Sequence, residues 1–144
     1  RPDKIGVMGS SAGGHLAASL GVTGEERPDA MILAYPCILD SMSRILDFPV
    51  PSCNEMVDSN TPPAFLFHTA NDSCVPVENS LRMADALASN NIPFEMHIFK
   101  SGPHGLSLAN RLTCRGSKDM INPSVAQWMP LCFNWLEKVF GLSD

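Results

Sequence analysis

The sequence is short of charge, of metal-ligand spacing and of long apolar runs, and each shortage removes a class of function. Charged residues make up 17% of the 144 positions, the formal net charge is −5, and no basic block occurs. That balance argues against a nucleic-acid partner. No apolar stretch approaches the length of a membrane span, so no membrane partner is expected either. The cysteines (Cys37, Cys53, Cys74, Cys114 and Cys132) are odd in number and lack CxxC spacing, so neither a zinc site nor a complete disulfide framework is indicated. Free thiols are the reading they support, and Cys74, with Asp72 and Glu78 as neighbours, is read as structural. The histidines and acids also lack ligand spacing, so no metal and no cofactor is expected. No internal repeat or low-complexity segment is present, and the opening Arg1-Pro2-Asp3-Lys4 has no signal-peptide character. With 44% hydrophobic residues, the chain reads as a single folded domain over residues 1–144.

Four short apolar runs alternate with helical patterns. Lys4 to Met8 leads into a helix from about Ala12 to Leu20, with Gly21 as its stop. Ala30 to Tyr35 ends at Pro36, which cannot continue a central strand. Ala64 to Thr69 is entered through Pro62-Pro63 and followed by a helix over Val77 to Ser89, whose apolar face carries Leu81, Ala84, Leu87 and Ala88. Phe94 to Phe99 follows Ile92-Pro93. A last helix spans about Pro123 to Phe140, with Ser124 or Asn122 as its cap, Gly141 at its end and a core stripe that includes Trp128, Cys132 and Trp135. Near-continuous apolar strands alternating with helices predict an α/β architecture: a mostly parallel sheet of about four strands with flanking helices. The long connection 37–61 is expected to be a loop or cap insertion near the strand ends, and residues 102–122 form a second irregular stretch.

Three residues fall just past the ends of these strands. Ser11 lies in Gly9-Ser10-Ser11-Ala12-Gly13, between a strand and a helix; the pattern GxSxG in that context is a nucleophile elbow, where flanking glycines permit a sharp turn. Asp72 follows the third strand and His104, in Gly102-Pro103-His104-Gly105, follows the fourth. Ser, then Asp, then His is the chain order of an α/β-hydrolase. A serine hydroxyl is a poor nucleophile unless a base takes its proton, and His104 has the chemistry for that. Asp72 would fix the tautomer of His104, and the Ala12 backbone N–H, at the positive end of a helix, would donate to a developing oxyanion. Plainer readings exist for each. Ser10 or Ser11 would serve as a helix N-cap, and Asp72 or Asn71 as an Asx-turn residue. Ser10 and Gly13-Gly14 suit turn geometry and close helix packing. His15 is a residue that either packs or touches substrate, and His68 and His97 are core or sheet-face residues.

The blocks Ile5 to Ala17, Val75 to Ser80 and His104 to Ala109 resemble carbohydrate esterases of the acetyl-xylan-esterase type, small α/β-hydrolases also described as lipase/esterase-like enzymes. The resemblance runs over nearly the whole chain. It implies removal of acetyl groups from xylan or xylo-oligosaccharides through an acyl-enzyme, with Ser11, Asp72 and His104 as the triad and no cofactor. Such enzymes carry an aromatic residue where Ser10 stands, so Ser10 marks a different pocket floor. They also carry an N-terminal half with a His-Gly-Gly type loop that supplies a second oxyanion N–H. By that comparison the chain is expected to be the carboxy-terminal portion of such a hydrolase, with its nucleophile strand open at the sheet edge. Absence of one oxyanion donor costs about 2.7–4 kcal/mol of transition-state stabilisation. The open edge leaves three arrangements: a fragment completed by an N-terminal half, pairing with a second copy in a homo-oligomer, or a self-sufficient minimal hydrolase. The alternatives in function are a non-catalytic assembly module and a general esterase, lipase or peptidase on the same scaffold. Free thiols favour a cytoplasmic location, and an export signal on a preceding segment is the alternative.

Overall fold

The computed structural model describes residues 4–142; Arg1–Asp3, part of the opening considered above, and the last two positions lie outside the described residues. The sheet has four parallel strands, β1 (Gly6–Ser10), β2 (Ala30–Ala34), β3 (Ala64–Thr69) and β4 (Phe94–Phe99), in the order β1-β2-β3-β4. The helices are α1 (Ala12–Thr23), a short α2 (Ser43–Leu46), α3 (Glu78–Ser89) and α4 (Trp128–Val139).

Alternation along the strands divides the core into two layers. Met31, Leu33, Ala64 and Leu66 face α1 and α3, packing with Ala17, Ala18, Val22, Met83 and Leu87. Ile32, Ala34, Phe65 and Phe67 face α4, packing with Trp128, Cys132 and Trp135. A parallel sheet covered on both faces explains why the inner strands read as continuous apolar runs.

Three local expectations are corrected. β1 runs to Ser10 rather than ending at Met8, because Gly9 and Ser10 remain in register with Leu33 and Ala34. α1 passes through Gly21 and ends at Thr23. Gly21 is there for contact with the sheet, since a Cβ on it would lie 2.1 Å from Met31 Sδ. The buried residues of α3 are Asn79, Ser80, Met83, Ala84 and Leu87, while Leu81 is exposed and Ala88 lies outside the face. The apolar stripe is thus rotated by one residue to include a serine. The last helix opens with a 3₁₀ turn (Val125–Gln127) before α4. Asn122 Oδ1 caps that opening by accepting the backbone N–H groups of Ser124 (3.1 Å) and Val125 (3.2 Å).

Residues 37–61 are not featureless. They contain a 3₁₀ turn (Asp40–Met42), α2 and a second 3₁₀ turn (Cys53–Met56). Asn79 on α3 holds the start of this segment, its Oδ1 accepting from the N–H groups of Ile38 (2.8 Å) and Leu39 (3.0 Å).

Candidate active site

Ser11 stands on the turn between β1 and α1 with φ 54 and ψ −121, a backbone conformation that a residue with a side chain adopts only under constraint. The constraint is visible. Its N–H donates to Ala34 O (3.0 Å), while its carbonyl accepts from Gly14 N–H and Cys37 N–H (3.0 Å each). Glycine is required on both sides of the turn: a Cβ on Gly9 would lie 2.0 Å from Gly13 O, and one on Gly14 would lie 2.5 Å from Pro36 Cβ. Gly13, by contrast, has open space where a Cβ would stand.

Ser11 occupies the N-cap position of α1, but its side chain makes no cap hydrogen bond. Its Oγ lies 2.8 Å from His104 Nε2, and His104 Nδ1 lies 2.7 Å from Asp72 Oδ2. A carboxylate only accepts, so Nδ1 carries the ring proton and Nε2 accepts from the serine hydroxyl. The Asx-turn reading of Asp72 also holds: Oδ1 accepts from the N–H groups of Cys74 (2.9 Å) and Val75 (3.0 Å). One carboxylate therefore shapes its own loop and orients a histidine. Its side chain is 1% exposed against 19% for that of His104, so the carboxylate is enclosed and the imidazole partly exposed.

The loop carrying His104 is tied to the end of β3. Gly102 N–H donates to Asn71 Oδ1 (2.9 Å), Thr69 Oγ1 donates to Gly102 O (2.9 Å), and Gly105 takes φ +80. The Tyr35 ring meets the imidazole edge-on at 5.2 Å, and its hydroxyl accepts Ser107 N–H (3.2 Å). Among the described residues, the Ala12 N–H at the start of α1 has no hydrogen-bond partner, and Ala12 is exposed. Ser10 is exposed on β1.

His15 is enclosed at 6% exposure. Its Nε2 donates to Pro51 O (2.9 Å) and its Nδ1 accepts from Ser19 Oγ (3.2 Å), so it pins the 37–61 segment to α1 and leaves no ring nitrogen for a substrate. Three further groups adjoin the site: Tyr35, the buried free thiol of Cys37, and His68, which lies in the core as expected. Burial raises the Cys37 thiol to about 11, so it is uncharged at neutral pH. His97 pairs with Glu95 (2.8 Å) on the face of β4. Cys74 is exposed, and it is its backbone N–H that meets Asp72.

The chain is similar to several known hydrolases. It is 37% identical to the endo-1,4-β-xylanase B of Butyrivibrio fibrisolvens, over 74% of this chain and 21% of that protein. It is 30% identical to an acetylxylan esterase of Xylanibacter ruminicola, over 72% of this chain and 26% of that protein. Among solved structures, MGS-M1, an α/β-hydrolase enzyme from a Medee basin deep-sea metagenome library, superposes with a TM-score of 0.88 at 45% identity. That superposition covers 96% of this chain and 55% of that one. The chain thus spans about a fifth to a quarter of the curated relatives it matches and about half of that solved structure. The model of the prolyl oligopeptidase family matches residues 48–121, a stretch that takes in Asp72 and His104 and begins after Ser11 and β2. With the fold and the family match in agreement, the chain belongs to the prolyl oligopeptidase family and has the α/β-hydrolase fold.

Proposed function

We propose that this chain is the catalytic part of a serine carboxylester hydrolase that removes acetyl groups from xylan or xylo-oligosaccharides. The observation that carries the reading is the unbroken Ser11–His104–Asp72 chain of 2.8 and 2.7 Å contacts with Ser11 held at positive φ. In the reaction, His104 Nε2 takes the Ser11 hydroxyl proton as Oγ attacks the acetyl carbonyl. Negative charge collects on the carbonyl oxygen, where the Ala12 N–H donates. His104 then returns the proton to the departing sugar hydroxyl, leaving acetyl-Ser11. Water, deprotonated by the same histidine, releases acetate and restores the serine. Asp72 stays ionised and stabilises the imidazolium formed in each half.

The acetyl and sugar specificity draws on the two curated relatives, one named a xylanase and the other an acetylxylan esterase. Residues 37–61 act as the cap over the acyl site, since this segment begins at the residue whose N–H holds Ser11 O and is fastened to α1 by His15. The family description favours a second reading, cleavage of a prolyl peptide. One assay separates them: acetate release from acetylated xylo-oligosaccharides beside cleavage of a prolyl p-nitroanilide peptide, with Ser11→Ala in parallel. The expected result is acetate release that falls by about 10⁴-fold or more in Ser11→Ala. Peptide cleavage without acetate release would replace the substrate, and equal rates in both proteins would overturn the hydrolase reading.

A further inference from the structure

His68 is wholly buried on β3, yet the reaction above does not use it. Its Nε2 lies 2.9 Å from Val75 O and its Nδ1 lies 2.8 Å from Ser80 Oγ on α3. A carbonyl only accepts, so Nε2 carries the proton; Nδ1 is then the acceptor, and the Ser80 hydroxyl donates to it. Burial pushes His68 below its ordinary value, in keeping with a neutral ring that has one N–H to place.

That single N–H stands where the acid is held. Its acceptor, Val75 O, belongs to the residue whose own N–H donates to Asp72 Oδ1 (3.0 Å). The same nitrogen lies 3.4 Å from Asp72 Oδ2, the oxygen bonded to His104. It is too far and too shared to be the main partner of that oxygen, but it sets the positive end of an N–H dipole beside the carboxylate. Packing alone does not call for this arrangement. An apolar side chain would fill the position without desolvating an imidazole and a hydroxyl.

We propose that Ser80 and His68 are positioning residues for the acid: Ser80 fixes the tautomer of His68, and the His68 Nε2–H holds the 72–75 turn so that Asp72 Oδ2 meets His104. The proposal rests on the hydrolase reading for its kinetic consequence but not for its structural one. The test therefore reads both, using Ser80→Ala, His68→Leu and His68→Gln, whose amide N–H reaches the place of Nε2. The spectroscopic readout is the low-field proton resonance of His104 Nδ1–H in its bond to Asp72, observed in ¹⁵N-histidine-labelled protein. His68→Leu is expected to broaden or abolish that resonance and to lower kcat for acetyl ester hydrolysis roughly 10- to 100-fold, the scale of a lost hydrogen bond near a charge, with KM changed less than about twofold. His68→Gln is expected to recover most of both, and Ser80→Ala to fall between.

A resonance unchanged from the parent in both His68→Leu and Ser80→Ala would overturn the proposal. So would equal losses in His68→Leu and His68→Gln at matched folded fraction by circular dichroism, since that marks a purely structural role. If His68→Leu does not fold, the resonance in Ser80→Ala and His68→Gln decides. The signal is read whether or not substrate turns over, so parent activity equal to that of Ser11→Ala would count against the hydrolase reading alone.

Discussion

The inner strands and the outer strands of this sheet are built differently. β2 (Ala-Met-Ile-Leu-Ala) and β3 (Ala-Phe-Leu-Phe-His-Thr) are buried at every position. β1 and β4 reach solvent, with Met8 53% exposed and Phe94 and Ile98 37% exposed. The residues of the proposed triad are divided along the same line. Asp72 follows an inner strand, whereas Ser11 and His104 follow outer ones. In the proposed reaction, burial at the end of an inner strand keeps the Asp72 carboxylate screened, while the His104 imidazole stays within reach of a substrate. The enclosed acid and the partly exposed imidazole show this division directly.

The largest effect expected from disturbing it is on the acid. In Asp72→Asn, the amide oxygen keeps the Cys74 and Val75 N–H bonds and turns its NH₂ toward His104 Nδ1. A donor then faces a donor, the imidazole takes the other tautomer, and Nε2 no longer accepts from Ser11. Activity in acetyl ester hydrolysis should fall about 10⁴-fold, with the urea midpoint little changed. A loss below tenfold would mean that the inner strand end holds no essential group.

Next in size is packing. Phe67 is 1% exposed, stacks on Trp128 at 4.4 Å and meets Tyr35 at 5.5 Å. Phe67→Ala should cost roughly 3–5 kcal/mol in urea unfolding. Met8→Ala, on the exposed face of β1, should stay within about 0.5 kcal/mol. Equal losses at the two positions would erase the distinction between centre and rim.

The strand ends were more legible in the sequence than the contacts between elements. β3 and β4 match their expected ends because a proline precedes each apolar run and polar turn residues follow it. Ser11, Asp72 and His104 were readable for a related reason: each follows a strand, so local pattern alone brings them to one edge, and the structure links them by short hydrogen bonds. What local pattern could not supply was contact across elements. Gly21 reads as a helix stop until Met31 is seen against it. His15 reads as a residue that either packs or touches substrate until Pro51 is found on its ring. The pairing of His68 with Ser80 joins a strand to a helix face that apolar periodicity had placed one residue away. A signal was there: Ser80 shares helical spacing with Met83, Ala84 and Leu87, and a polar residue on a buried stripe asks for a buried partner.

The smallest effect expected is a pH dependence of stability that originates in the centre. His68 titrates below its ordinary 6.5 when folded, chiefly through burial, and regains that value when the chain unfolds. As pH falls through 6.5, the unfolded chain takes up a proton that the folded chain refuses, so stability falls with falling pH. The contribution is fully present above that value and is lost progressively until the folded imidazole itself protonates. The charged and titratable groups facing it are Asp72, which opposes the burial effect, and His104, which adds to it; the Val75 carbonyl and the Ser80 hydroxyl are its polar neighbours. Urea midpoints measured between pH 8 and pH 5.5 should therefore decline on the acid side, and His68→Gln, which cannot titrate, should flatten that decline. An unchanged slope in His68→Gln would place the acid sensitivity outside this buried imidazole. A flattened slope would assign the lost acid-side stability to the buried imidazole beside Asp72, held neutral by its burial between Val75 O and Ser80 Oγ.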